Sequence, residues 1–297
     1  MNISDLRLFE AVSRHGSMNR AAQELHTVQS NVTARIRVLE EELGVSLFQR
    51  HARGVSTTPA GQRILPFVGR ITKLLADARA AAQDDGSPSG ALLLGSLETT
   101  TALRLSPLLS DFAKAYPEVR LVVTTSTTRK LLDEVIECRL EGAFVAGPVS
   151  HPDLDQEVVF QEELVLITSR SIHSMDELAK ISDLRTIVFQ IGCSYRQRLE
   201  TLLAEMGIVT AKPLEFGSLD AIISCVSAGV GIALLPKGIV AAAWQDGRVA
   251  VHELPPERSL VDTLFVRRSD AYTSSAMTAL LDMVRPKSAT GPLSSKP

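Results

Sequence analysis

The sequence predicts an α/β protein in two parts: a small all-α head on a long helix, and a larger two-lobed α/β body. Three patterns carry the prediction. Residues 17–53 set out short helices, a tight turn and a basic loop. Residues 59–84 carry apolar side chains at alternating spacings of four and three, and from residue 91 onward short apolar runs alternate with helical ones. With 297 residues and 45% hydrophobic composition, the chain has apolar material for about two buried cores.

The head begins with a supporting helix on Leu6, Phe9 and Val12. Ser17 is placed to cap a second helix running to Leu25, with Ala21, Ala22 and Leu25 turned inward, and His26 and Thr27 form the break after it. A third helix puts Val28, Val32, Ile36 and Leu39 on one stripe. Ser30, Thr33, Ala34 and Arg37 lie opposite, with Asn31 beside them. That outer face is small, polar and cationic, and such a face fits a DNA major groove: Asn or Gln pairs with adenine, and Arg with guanine or phosphate. A plain three-helix bundle with a solvated polar face gives the same spacing, so periodicity alone leaves both readings open.

Thr58 is placed to cap the long helix, with Pro59 in its first turn, where a missing N–H costs little. Ile64, Val68, Ile71, Leu75, Ala78 and Ala82 form a heptad-like seam. A helix over residues 59–84 reaches roughly 39 Å, enough to hold two heads apart in a homodimer; the alternative is a seam docked on the chain's own core. Residues 84–90, rich in Gly, Ser and Pro, read as a hinge.

In the body, strands are predicted at 91–95, 121–125 and 143–146 with helices at 103–116 and 130–138 between them, a βαβαβ unit. A second unit takes strands at 164–168, 186–189, 212–216 and 231–235 with helices at 194–206 and 219–228. The chain then crosses 239–244, 249–253 and 263–267 before a last helix at 274–284. Short helix–strand connections favour parallel sheets, whose ligand sites collect outside the strands' carboxyl ends, so a cleft between the lobes is the expected binding place.

Charge is divided in the same way. Residues 1–70 hold nine Arg and no Lys against six acidic residues, whereas the remainder holds 22 basic and 28 acidic residues. A net charge of −3 suits a small basic head on an acidic body, and steering toward nucleic acid is local to the head. The start lacks a signal-peptide pattern and no apolar run approaches a membrane span, so a cytoplasmic protein without membrane contact is expected.

Residues 6–61 resemble the N-terminal domain of LysR-type transcriptional regulators. The run FEAVSRHGSMNRAAQELHTVQSNVTARIRVLEEELGVSLFQR, followed by TTPAG, holds that family's elements in order: the phenylalanine-led first helix, a serine then AA in the second, Gln-x-x-Val-Thr entering what reads as the third, LEEELG closing it, LF-x-R opening the wing and T-x-AG opening the linker. Val28 and Ala34 depart from the commonest pattern and bear on base preference. The body resembles the family's effector domains, built like periplasmic binding proteins, through AYPEVRL, a threonine pair before a helix, and SAGVGIALLP. The resemblance implies a winged helix-turn-helix domain over 1–58, a linker and dimerisation helix over 59–86 and an effector-binding domain over 87–297. Within that domain, lobe I spans about 91–160 and 266–285, and lobe II about 161–265.

The resemblance further implies binding to double-stranded promoter DNA under the control of a small effector, a homodimer or homotetramer, contact with RNA polymerase, and no cofactor. By carry-over, the DNA-binding residues are Ser17, at the start of the second helix, Gln29, Ser30, Asn31 and Thr33, facing base edges, and Arg35, Arg37, Arg50 and Arg53, near phosphates or the minor groove. The helical wheel turns Arg35 toward the core, suiting it to a flank or an internal ion pair.

For the effector, the strand ends offer hydroxyls and free N–H groups suited to an anion: Ser96, Thr99, Thr100 and Thr101 after the first strand, and Thr127 and Thr128 after the next. Each cluster also reads as plain helix capping. Cys193, Ser194 and Arg196, in a loop that opens a helix, and Ser218, capping the next one, supply the opposite wall. A small anionic metabolite is the expected ligand.

Three thiols, Cys138, Cys193 and Cys225, are too few for a disulfide framework, and six histidines show no zinc spacing, so no metal is expected. A helix start and Arg196 make Cys193 a candidate thiolate sensor. Two rival readings are a thiol enzyme using Cys193 with His151, His173 or His252, and a binding protein without DNA activity. The first lacks an oriented base in sequence, and the second needs neither basic head nor seam.

Overall fold

The structure, a computed structural model, describes residues 1–51, 54–181, 183–209 and 213–285. They fall into two units: Met1–Asp85 with Ile136–Arg139, and Gly86–Val135 with the described residues from Leu140 onward. Arg53 and the residues after 285 lie outside the described residues.

The first unit is laid out by its caps. Helix α1 (Ile3–His15) starts at a capping box in which the Asn2 side chain accepts from the Asp5 N–H and the Asp5 carboxylate accepts from that of Asn2; it stops at Gly16, whose φ of 59° is left-handed. Ser17 caps α2 (Met18–Glu24), and His26, at φ 50°, makes the tight turn into α3 (Gln29–Leu43). Val32, Ile36 and Leu39 of α3 are fully buried against Phe9, Val12 and Ala21. Val28 departs from the predicted stripe and is 64% exposed, because it is the extended N-cap residue and lies off the helical wheel.

A two-stranded wing follows, β1 (Phe48–His51) antiparallel to β2 (Gly54–Thr57). Glu40 of α3 holds its root: one carboxylate oxygen accepts from the backbone N–H groups of Leu47 at 2.6 Å and Phe48 at 3.0 Å. Gly54 seats the far strand, since a Cβ there would stand 2.7 Å from the Gly16 carbonyl, the same oxygen that accepts from the Val55 N–H.

Thr58 caps α4 (Pro59–Gln83) through the Gly61 N–H at 3.1 Å, with Pro59 in the first turn. The seam is rotated from its predicted position. Val68 is 2% exposed and belongs to the head's own core, with Ile64 packed beside it. Phe67, Ile71 and Leu74 are the large apolar side chains left exposed on α4, and Ala78 continues their line at spacings of four, three and four.

The second unit opens with the parallel strands β3 (Gly90–Ser96), β4 (Val119–Thr125) and β5 (Gly142–Ala146), β3 in the middle. The helix predicted at 103–116 starts earlier and in pieces: α5 (Glu98–Thr100), a π-helical turn at Thr101–Leu105, and α6 (Ser106–Ala115). Helix α7 (Thr128–Ile136) connects β4 to β5.

The sheet then departs from the all-parallel expectation. The strand β6 (Leu154–Thr168) is 15 residues long and keeps the sense of β5, but every strand it pairs with runs antiparallel to it. Its first part, to Glu163, pairs with β11 (Leu260–Arg268), which itself pairs with β5; from Leu164 it pairs with β9 (Ala233–Pro236), and from Val165 also with β10 (Ala250–Glu253). One continuous strand thus serves both lobes.

The second lobe adds the short parallel pair β7 (Ile187–Val188) and β8 (Leu214–Glu215) with α8 (Ser194–Glu205), α9 (Leu219–Ser227) and α10 (Lys237–Gln245). The four-residue helix α11 (Pro256–Ser259) leads into β11, and α12 (Ser275–Val284), capped by Ser274, packs with Phe112, Phe144 and Phe265 in the first lobe's core. Among the described residues no helix is long and apolar enough to cross a membrane.

Candidate functional site

The outward face of α3 carries Ser30, Asn31 and Arg37, all exposed, with Thr33 half-buried between them. Two amide side chains are held by bonds one turn long: the Gln29 Nε2 donates to the Thr33 Oγ1 at 3.1 Å and the Asn31 Nδ2 to the Thr27 Oγ1 at 2.9 Å. Each keeps its carbonyl oxygen and a second N–H for another partner. Arg37 donates to Glu41 at 2.8 Å, an exposed pair that a phosphate can displace at a cost of no more than about 0.5 kcal/mol. Arg50 is exposed on β1 of the wing. The Ser17 hydroxyl is occupied in part by capping α2 through the Arg20 N–H.

Arg35 is turned inward. Its guanidinium donates to the Asp5 carboxylate at 2.7 Å and to the Asn2 side chain at 2.8 Å, so it joins α3 to the start of α1. Of the two roles read from the wheel, the structure gives Arg35 the internal ion pair.

In the second unit a cavity of about 290 Å³ opens where strand ends from both lobes meet. Leu97, Glu98 and Thr99 follow β3; Thr125 to Thr127 and Lys130 follow β4; Ala146 ends β5. Phe189, Gln190 and Cys193 to Tyr195 follow β7, and Phe216 and Gly217 follow β8. The position obeys the rule for open α/β sheets, because carboxyl ends of parallel strands present helix starts and unpaired N–H groups to a common space.

The cleft is bridged. The Leu219 N–H at the start of α9 donates to the Glu98 carboxylate at 3.2 Å, the Thr99 and Tyr195 hydroxyls lie 3.4 Å apart, and the Arg129 N–H points to the Gly192 carbonyl at 3.4 Å. Burial pushes the Tyr195 phenol up to about 12, with the Thr99 bond opposing, so it stays neutral. Burial also raises the Cys193 thiol, against a smaller pull from the Arg196 and Tyr195 N–H groups and the Arg196 charge. The thiolate predicted at Cys193 is therefore not what this environment favours.

Of the residues predicted for the effector, Thr99, Thr127, Cys193 and Ser194 line the cavity. The others lie elsewhere, each for a local reason. Ser96 is fully buried and donates to the Leu97 carbonyl, as does Thr101. The Thr100 and Thr128 hydroxyls are buried without a hydrogen-bond partner among the described residues. Arg196 is held by Glu215 at 2.6 Å and Glu200 at 2.9 Å, and Ser218 is the N-cap residue of α9 with Gly217 lining in its place. Sequence reasoning did not assign Glu98, Lys130, Phe189, Gln190, Tyr195 or Phe216 to the effector, and all of them line the cavity. Lys130 had a signal in retrospect, standing on the first turn of a helix that begins at a strand end. Among the described residues no cluster of three metal-ligating side chains occurs.

Residues 3–62 match the family model described as bacterial regulatory helix-turn-helix protein, lysR family, and residues 85–289 match the LysR substrate binding domain. The chain is 42% identical over 285 residues to the HTH-type transcriptional regulator GltR of Bacillus subtilis (strain 168), covering 96% of each protein. It is 40% identical over 282 residues to the HTH-type transcriptional regulator YofA of Bacillus velezensis, covering 95% of this chain and 97% of that one. Among solved structures it resembles a full-length variant of OxyR from Pseudomonas aeruginosa, at a TM-score of 0.73 and 20% identity over 96% of this chain and 94% of that one. It also resembles full-length CbnR complexed with its target DNA, at a TM-score of 0.64 and 24% identity over 96% and 99%. These two likenesses are of fold.

Proposed function

The chain belongs to the LysR family of transcriptional regulators, and from that premise we propose that its α3 face reads promoter DNA while a small metabolite in the cleft sets how it does so. The protein is a DNA-binding regulator with an effector-binding domain, and not an enzyme. The observation that carries the residue-level reading is the exposed row of Ser30, Asn31 and Arg37 beside the wing's Arg50. Gln29, Asn31 and Thr33 meet base edges, while Arg37 and Arg50 meet phosphates. A ligand bearing a carboxylate suits Lys130 and the helix starts at Thr127 and Ser194.

The exposed stripe Phe67, Ile71, Leu74 and Ala78 supports homodimerisation through α4, placing two heads on neighbouring turns of the duplex. The domain limits 1–58, 59–86 and 87–297, a homotetramer, contact with RNA polymerase and a cytoplasmic location complete the reading.

The test is fluorescence anisotropy on duplex DNA from upstream of the neighbouring gene. Tight binding with a steep negative salt dependence is expected; Arg37→Ala weakens it on every sequence and lowers the slope by about one, whereas Asn31→Ala relaxes discrimination among sequences. Binding that is insensitive to both substitutions sinks the assignment.

A further inference from the structure

Two opposite charges line the cleft cavity without an ionic partner among the described residues, and together they define its ligand. Lys130 forms no ion pair or side-chain hydrogen bond among the described residues. Glu98 spends one oxygen, Oε1, on the Leu219 N–H across the cleft, and its other oxygen, Oε2, has no partner among the described residues. The acid is half-buried and cannot turn away without giving up the α9 start, where a negative charge is favoured and the Ser218 side chain forms no cap. Arg196, the cation predicted for this wall, is committed to Glu215 and Glu200 and leaves Glu98 unneutralised.

A ligand that is only anionic would set its charge against Glu98 in a cavity of about 290 Å³. A ligand with a cationic group answers both charges at once. Beside the hydroxyls of Thr99, Thr127 and Ser194 the lining has an apolar part, Leu97, Phe189 and Phe216, which suits a hydrocarbon or ring.

Resting on the reading that this cavity is the effector site, we infer that the effector is a zwitterion of α-amino-acid type with an apolar side chain. Its ammonium group donates to Glu98 and its carboxylate meets Lys130 and the first turns of α7 and α8. Glu98 is the residue that determines specificity, and through the Leu219 N–H it also couples ligand charge to closure of the lobes.

The experiment compares matched probes by calorimetry on the full chain: L-leucine and L-phenylalanine against 4-methylpentanoate and 3-phenylpropanoate, the same skeletons without the amino group. An amino acid is expected to bind at least tenfold tighter than its deaminated partner, as a hydrogen bond to a charged group is worth. In Glu98→Gln that preference falls by about tenfold or more, while Lys130→Gln weakens acids and amino acids alike.

Equal or tighter binding of the deaminated acids overturns the inference, as does a preference unchanged in Glu98→Gln or the absence of binding by all four probes. Binding of the acids alone, weakened by Lys130→Gln, would leave the cavity as the site and remove only the zwitterion. Binding that survives Glu98→Gln, Lys130→Gln and Thr127→Val unaltered would remove the cavity itself.

Discussion

Arg35 and Asp5 lie 2.7 Å apart in a partly buried ion pair that ties the third helix of the head to the first. Asp5 is 5% exposed and also closes the capping box of α1, so removing Arg35 strands a carboxylate in the core. Arg35→Ala is expected to cost about 2–3 kcal/mol, the usual loss for a buried pair discounted for the solvent that reaches the Arg35 side chain. Arg37→Ala, two residues on and exposed, is expected to change stability by no more than about 0.5 kcal/mol while weakening DNA binding. Thermal unfolding followed beside anisotropy separates the two; equal stability loss in both variants would contradict the division.

Glu40 touches no predicted DNA contact, yet it fixes the wing that carries Arg50. Its carboxylate satisfies two backbone donors, Leu47 N–H and Phe48 N–H. Glu40→Ala leaves both unpaired at a cost of about 1–2 kcal/mol, and DNA affinity is expected to fall through misplacement of the wing. Hydrogen exchange of the Leu47 and Phe48 amides should accelerate in the variant; unchanged exchange together with weaker binding would point to a direct role.

The rotated stripe on α4 makes a sharp distinction between neighbours. Leu74→Glu, 53% exposed at the start, is expected to leave the fold intact and convert the proposed homodimer to monomer by sedimentation. Val68→Glu, in the head's core, is expected to unfold the head instead. A Leu74→Glu protein that remains dimeric places the interface elsewhere.

Cys193 is predicted to be a slow thiol. Because burial raises its pKa above the ordinary thiol value, the neutral form persists to a higher pH than in an ordinary thiol, and alkylation accelerates only beyond the pH at which a free thiol already reacts. Peroxide should leave DNA binding unchanged over the range where Cys193→Ser is also unchanged. A rate of iodoacetamide labelling at pH 7 above that of a free thiol would restore the sensor reading.

Much of the head was legible because its signals are local. Caps at Ser17 and Thr58, the break at His26 and Thr27, and the buried Val32, Ile36 and Leu39 all follow from residues within a turn or two of one another. Val28 was misread because a helical wheel does not say where the helix begins. In the body, most strand positions were legible from apolar runs, but residues 154–163 of β6 were not, and neither was the reversed direction of β11, since a strand's neighbours are set by residues far along the chain. The cavity was half legible: strand ends located it, yet Arg196 and Ser96 stood at those ends with their polar atoms already engaged.

The sequence by itself determined the two-part order, the family and the polar face of the third helix, because periodicity and capping act over distances of a few residues. Only the tertiary structure decided which charges are free. Arg35 and Arg196 are cations in the sequence and neutralised partners in the fold, whereas Glu98 and Lys130 have no ionic partner among the described residues at the cleft. Pairing depends on which side chains distant in the chain come within about 4 Å, and no local pattern records that.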